Sequence, residues 1–224
     1  MSIFMAIILV VFMAAVTVFI VFVERAQRRI PISYAKRQVG RKMFGGQNSH
    51  LPLRLNTAGV IPPIFASSLL LFPATVGQFS GNEYVRMATD IFSPNGLMYN
   101  VLYVALMFFF CYFYTAIIFD PKEMSENLKK SGGFIPGIRP GEKTAEYIDT
   151  VLSRLTFSGA IYISLVCLMP MLLIRNFNVP FYFGGTSLLI LVGVAMDFMN
   201  QVESHLISSQ YQGLMQKARK SGKI

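Results

Sequence analysis

The chain has 224 residues, 54% of them hydrophobic and only 14% charged, with a formal net charge of +9; its mean hydropathy is +0.52. Soluble domains carry about a quarter charged residues, so a soluble enzyme and a secreted domain are excluded and a membrane chain is indicated. Cys111 and Cys167 both fall inside apolar runs, which leaves neither a disulfide framework nor a zinc knuckle.

A bilayer core of about 30 Å takes about 20 apolar helical residues at about 1.5 Å each. Runs of that length, charge-free except for Asp197 at the very end of the last, predict five spans, at about 2–23, 57–79, 97–119, 155–174 and 180–198. An ionised residue at a span centre would cost about 2.5–3.5 kcal/mol, so the lack of charge inside these runs is informative. The basic residues sit almost wholly in the alternate connections: 24–56, 120–154 and the tail 199–224 hold all of the Lys and Arg except Arg86 and Arg175. The positive-inside rule then places both long loops and the C-terminus in the cytoplasm and Met1 outside. The first run is no secretory signal, because its basic residues follow the apolar stretch. Five spans with an outside N-terminus are unusual for a complete chain, and a fragment or a split half is expected.

In 24–56, Ile30, Ile32 and Tyr34 alternate in one arm and Leu51, Leu53 and Leu55 in the other, with Gly40, Gly45 and Gly46 between. Period two with glycines between predicts a β-hairpin standing off the membrane. Its tip carries Lys36, Arg37, Arg41 and Lys42. The ordinary cytoplasmic charge bias accounts for basic residues here as well as function does; the loop's length favours an anionic partner, RNA or an acidic protein face. Asn56 lies at the cytoplasmic mouth of the second span, whose Pro62, Pro63 and Pro73 predict a bent helix.

The loop 120–154 balances its basic residues, Lys129 and Lys130 among them, with six acids. Asp120 reads as an N-cap, with Pro121 at the first helical position and Glu123 three residues after the cap. A short helix should run to about Lys130 and stop at Gly132 and Gly133. In Ile135-Pro136-Gly137-Ile138-Arg139-Pro140-Gly141, prolines and glycines surround one arginine and display it on a stiff turn, unless the segment is a plain connector with a snorkelling arginine. A second helix should start near Glu142–Thr144 and run into the fourth span. Gly141-Glu142-Lys143-Thr144 fails as a P-loop because Glu142 interrupts Gly-Lys. His50 and His205 each stand alone, and no nucleophile–base signature appears. No enzyme, metal or cofactor is expected. The lack of ionisable groups at mid-depth speaks against an ion-coupled transporter.

Several segments carry a longer pattern: Val23-Glu24-Arg25-Ala26-Gln27-Arg28-Arg29-Ile30-Pro31, His50-Leu51-Pro52-Leu53-Arg54-Leu55-Asn56, Gly59-Val60-Ile61-Pro62, Pro73-Ala74-Thr75, Gly137-Ile138-Arg139-Pro140-Gly141 and Pro180-Phe181-Tyr182-Phe183-Gly184-Gly185-Thr186. Over essentially its whole length the chain resembles the C-terminal half of the bacterial SecY family, the central subunits of the Sec protein-conducting channel. The resemblance implies one unit over 1–224: an all-α membrane protein with five transmembrane helices and a cytoplasmic β-hairpin loop, half of a SecY-type channel, matching spans six to ten. It places Ile64, Val76 and Ile190 in the aliphatic ring that closes the pore and Asn56 at the lateral gate. Lys36, Arg37, Arg41, Lys42, Lys129, Lys130 and Arg139 fall on loops that dock partners. The implied partners are the N-terminal half, the SecE and SecG subunits, the SecA motor, the ribosome through rRNA phosphates, signal sequences and nascent chains, and membrane lipid. The implied location is the cytoplasmic membrane. From the residues alone, two other readings stay open: a permease subunit, and a membrane-anchored scaffold that docks RNA or protein.

Overall fold

Where the sequence withholds charge it forms long helices, and where it alternates it forms strands. The computed structural model describes residues 3–34, 37–39, 42–44, 49–79, 96–177 and 185–220. Its helices are α1 (Ile3–Arg25), α2 (Ile61–Phe79), α3 (Leu97–Ile118), α4 (Pro121–Lys130), α5 (Glu142–Phe177) and α6 (Gly185–Lys220). Its strands are β1 (Gln27–Tyr34), β2 (Arg37–Val39), β3 (Lys42–Phe44), β4 (Ser49–Arg54) and β5 (Gly133–Phe134). Among the described residues, two helical stretches, Met98–Lys130 and Glu142–Met171, are long and apolar enough to cross a bilayer. α1 reaches 23 residues with no charge before Glu24, about 34 Å of helix.

The principal helix contacts run α1 to α6, α6 to α5, α5 to α3 and α3 to α2, with the short α4 also packed on α5. One core follows that arc, from Val16, Ile20 and Val23 through Leu188, Leu189 and Val192, then Ile163, Val166 and Cys167, then Tyr103, Met107 and Cys111, to Ala66 and Leu70. The outer faces stay apolar and bare, with Phe4, Val10, Phe22, Phe72 and Phe109 exposed, as a lipid-facing or partner-facing surface requires. Polar seams lie between the helices: the Tyr162 hydroxyl donates to the Ile20 carbonyl at 3.5 Å, and Thr115 Oγ1 lies 3.4 Å from both Thr57 Oγ1 and Thr156 Oγ1.

The expected hairpin is present. β1 and β4 pair antiparallel from Gln27↔Arg54 to Ile32↔Ser49, and β2 and β3 pair from Arg37↔Phe44 to Val39↔Lys42. Both ladders join residue n to residue 81 − n, so they share one register. The alternation has its physical cause beneath it: Ile30, Ile32 and Leu53 are buried while Arg28, Arg29 and Pro31 are exposed. Ile30 and Leu53 join Ile135, Ile148, Leu152 and Leu155 in a second core, at the root of the hairpin and the start of α5. β5, which the sequence did not announce, adds to the far end of β1 through Ser33↔Phe134 and Tyr34↔Gly133.

Boundaries differ from expectation in two places. α2 begins at Ile61, not at 57, because Asn56–Val60 form a turn in which Gly59 adopts φ 65°; Pro62 and Pro63 then fall in the first helical turn, where a missing N–H costs nothing. α6 carries on from the fifth span into the tail expected from 199, reaching Lys220 through Gly213, since 199–220 contains no Pro to stop it. α5 is likewise 36 residues long, about 54 Å, so its first turns lie beyond any bilayer core and carry the second hydrophobic cluster.

Candidate functional site

The first candidate site is the junction where α1, the exit of β4, the turn into α2 and α6 meet. Asn56 is buried there, with 6% of its surface exposed. Its Nδ2 donates to Glu24 Oε1 at 2.7 Å and to the Gly59 carbonyl at 3.3 Å. Two acceptors at one end of the amide fix its orientation, because the flipped amide would set oxygen against oxygen. Asn56 Oδ1 is sealed from water and has no hydrogen-bond partner among the described residues. Glu24, one residue past the predicted span, has its carboxyl pushed above the usual range by burial; the Asn56 amide and the Arg54 charge pull it down, and Asp197 pushes it up.

These groups line a cleft of about 580 Å³ that also includes Ile190, Gly193, Met196 and Asn200. The structure thus brings together two residues singled out from sequence, Asn56 and Ile190. Ile64 lies on α2 and is 40% exposed; Ile190 lies on α6 and is 38% exposed. Both are open aliphatic side chains on helices that are not principal neighbours. The side chain of Val76, on α2, lies outside the described residues. Behind the junction α5 comes close: a Cβ on Gly159 would sit 2.9 Å from the Leu55 carbonyl oxygen, which is why glycine fits there.

The second candidate site is the water-facing platform. Asp120 caps α4 as expected, its carboxylate accepting from the Lys122 and Glu123 amides. α4 ends in Lys129 and Lys130, and Gly132 follows at φ 70°. Lys130 makes a solvent-exposed pair with Glu126 at 3.7 Å, which contributes little. Arg139 is exposed on the turn between β5 and α5. That turn is braced from below. The Ser125 hydroxyl donates to the Gly141 carbonyl at 2.6 Å, and the Thr144 hydroxyl to the Arg139 carbonyl at 3.0 Å; Gly137 and Gly141 take φ 83° and 107°. Lys129 borders one cleft of about 1290 Å³ and Arg139 another, and Lys143 borders both. At the hairpin tip, Arg37 and Lys42 lie on β2 and β3 with side chains outside the described residues, and Lys36 and Arg41 lie outside them altogether. Among the described residues no three His, Cys, Asp or Glu gather as a metal site would need.

Sequence reading did not single out Glu24, which holds Asn56, or Lys143, which borders both platform clefts. For Glu24 a signal existed: an acid in the last turn of an apolar helix opposes the helix dipole and asks for an explanation. Its partner, 32 residues away, could not be read from spacing.

Comparison with known proteins completes the picture. The SecY family model matches residues 2–199. The chain belongs to the SecY family. Its relatives include the SecY protein translocase subunits of Vibrio cholerae, 55% identical over 215 residues, Pseudomonas aeruginosa, 56% over 212, and Escherichia coli K12, 53% over 212. Each alignment takes in 93% of this chain but 48% of the relative, so the chain spans about half the length of these SecY proteins. Two solved structures, one described as a protein-conducting channel and one from work on how the SecY plug domain stabilises the closed translocation channel, share the fold at a TM-score of 0.59 and 19% identity, over 89% of this chain and about half of theirs. The expected family and the expected helical fold with a hairpin-like sheet both hold, and the SecY family is one of membrane channel subunits.

Proposed function

We propose that this chain builds the C-terminal half of a SecY channel, spans six to ten, and acts in moving polypeptides across and into the cytoplasmic membrane. The observation that carries the reading is identity above half to SecY translocase subunits over nearly all of the chain. The long loops and the C-terminal helix face the cytoplasm, because the basic residues gather there.

The chemistry asked of such a protein is passive. A polypeptide in transit varies at every residue, so its conduit must avoid specific pairing. A narrow ring of aliphatic side chains does so and still excludes hydrated ions by dewetting; Ile64, Val76 and Ile190 are assigned to that ring. Asn56 stands at the cytoplasmic end of the gate helix α2. No step breaks or forms a covalent bond, so energy comes from a docked motor or ribosome. Lys36, Arg37, Arg41, Lys42, Lys129, Lys130 and Arg139 are assigned to that docking; rRNA phosphates bound by them would give strong salt dependence. The N-terminal half, SecE, SecG, SecA, signal sequences and nascent chains, and lipid are the remaining partners.

The test is complementation. Cells depleted of their own channel subunit receive this chain, the N-terminal half of a relative, or both. Export of a secreted reporter only with both halves supports the proposal. Export by this chain alone, or failure with both halves stably inserted, overturns it.

A further inference from the structure

The position of Glu24 is electrostatically awkward. It lies in the last turn of α1, where the negative end of the helix dipole opposes a carboxylate. It is partly buried, which disfavours its charge, and Asp197 of α6 lines the same cleft. The cations at the cleft are Arg25 and Arg54, and neither makes an ion pair with Glu24 within 4.0 Å among the described residues. What Glu24 does have is a short bond, 2.7 Å, from Asn56 Nδ2.

That bond is the first link of a chain leading into α2. Asn56 Nδ2 also reaches the Gly59 carbonyl, Gly59 turns at φ 65°, and α2 starts two residues later. Thr57, the residue after Asn56, is tied to α3 at Thr115, and Leu55, the residue before it, donates its amide to the Ala26 carbonyl at 3.0 Å, so among the described residues Glu24 supplies the side-chain tie between α1 and the start of the turn. With Nδ2 held by Glu24, the amide rotor is fixed and Oδ1 is left as an unpartnered acceptor.

We infer that Glu24 is a positioning residue: by holding Asn56 it fixes the turn at Gly59 and hence the angle at which α2 leaves the cytoplasmic face. The inference rests on the channel reading, in which α2 is the gate helix. Breaking the bond loosens that helix and favours the open state.

The experiment uses the complete channel, this chain with its missing half, in planar bilayers and in the export assay. E24A is expected to raise basal ion conductance about tenfold, the population shift that one lost charge-assisted hydrogen bond gives. E24Q keeps an acceptor for the Asn56 amide and should stay within about twofold of the parent. E24A/N56A should be no leakier than N56A, because the two residues act through one bond. If E24A does not accumulate in the membrane, the reversed pair decides: N56D sets two carboxylates face to face and should leak, and E24Q/N56D restores the link between the two residues, though not the bond to the Gly59 carbonyl, and should leak clearly less than N56D. E24Q as leaky as E24A, additive leaks in E24A/N56A, or no recovery in E24Q/N56D overturns the inference. A parent channel that neither conducts nor exports overturns the channel reading instead, so the two failures are distinct.

Discussion

The apolar helix bundle and the polar loop platform are both closed by buried apolar side chains, yet different forces hold them. The platform core around Ile30, Leu53, Ile148 and Leu152 faces water, so its burial draws on the hydrophobic effect at about 25 cal/mol per Å². The bundle core around Ile163, Met107 and Leu189 trades lipid contacts for protein contacts and gains only packing and interhelical hydrogen bonds. Equal-looking cores should therefore respond unequally to the same truncation.

The sharpest way to break that comparison is a matched pair. Ile148 and Ile163 are both fully buried on α5, one in each core. Ile148→Ala should cost about 2–5 kcal/mol of platform stability, seen as faster hydrogen exchange over 27–34 and 121–155 with insertion unchanged. Ile163→Ala should cost measurably less in bicelles, since only cavity and dispersion terms are lost. Equal costs would remove the distinction.

Gly159→Ala tests the seam between the two regions. Its new Cβ meets the Leu55 carbonyl at 2.9 Å, and forcing α5 and the hairpin exit apart should cost about 1–3 kcal/mol, read as a lower midpoint in reversible unfolding. Asp120→Ala removes the α4 cap and should cost about 1 kcal/mol; exchange should quicken in the first turn of α4 and leave the bundle amides alone. The smallest effect belongs to Lys143→Met. Its 2.8 Å bond to Glu146 is largely in solvent, so the melting temperature should not move.

Much of this was legible because local physics was decisive. Charge-free runs located the long helices. The Asp120-Pro121 start and the Gly132 stop fixed α4 at both ends, and the alternation of Ile30 and Ile32 against Leu53 fixed the hairpin. What escaped was set by distance or by lack of pattern. β5 is two residues long and has no period to read. α6 runs on past Asn200 because nothing in the sequence stops it, not because anything marks it as helix. The bond of Glu24 to Asn56 closes only when α1 and the end of β4 meet in space.

A channel half of this topology requires both loops to face one compartment. With Cys111 and Cys167 replaced, single cysteines introduced by R28C on β1 and R139C on the braced turn can be labelled with a membrane-impermeant maleimide, in right-side-out cells and in inverted vesicles. Both sites should label in inverted vesicles and neither in intact cells. Labelling of the two positions from opposite faces would contradict the topology and the channel half built on it.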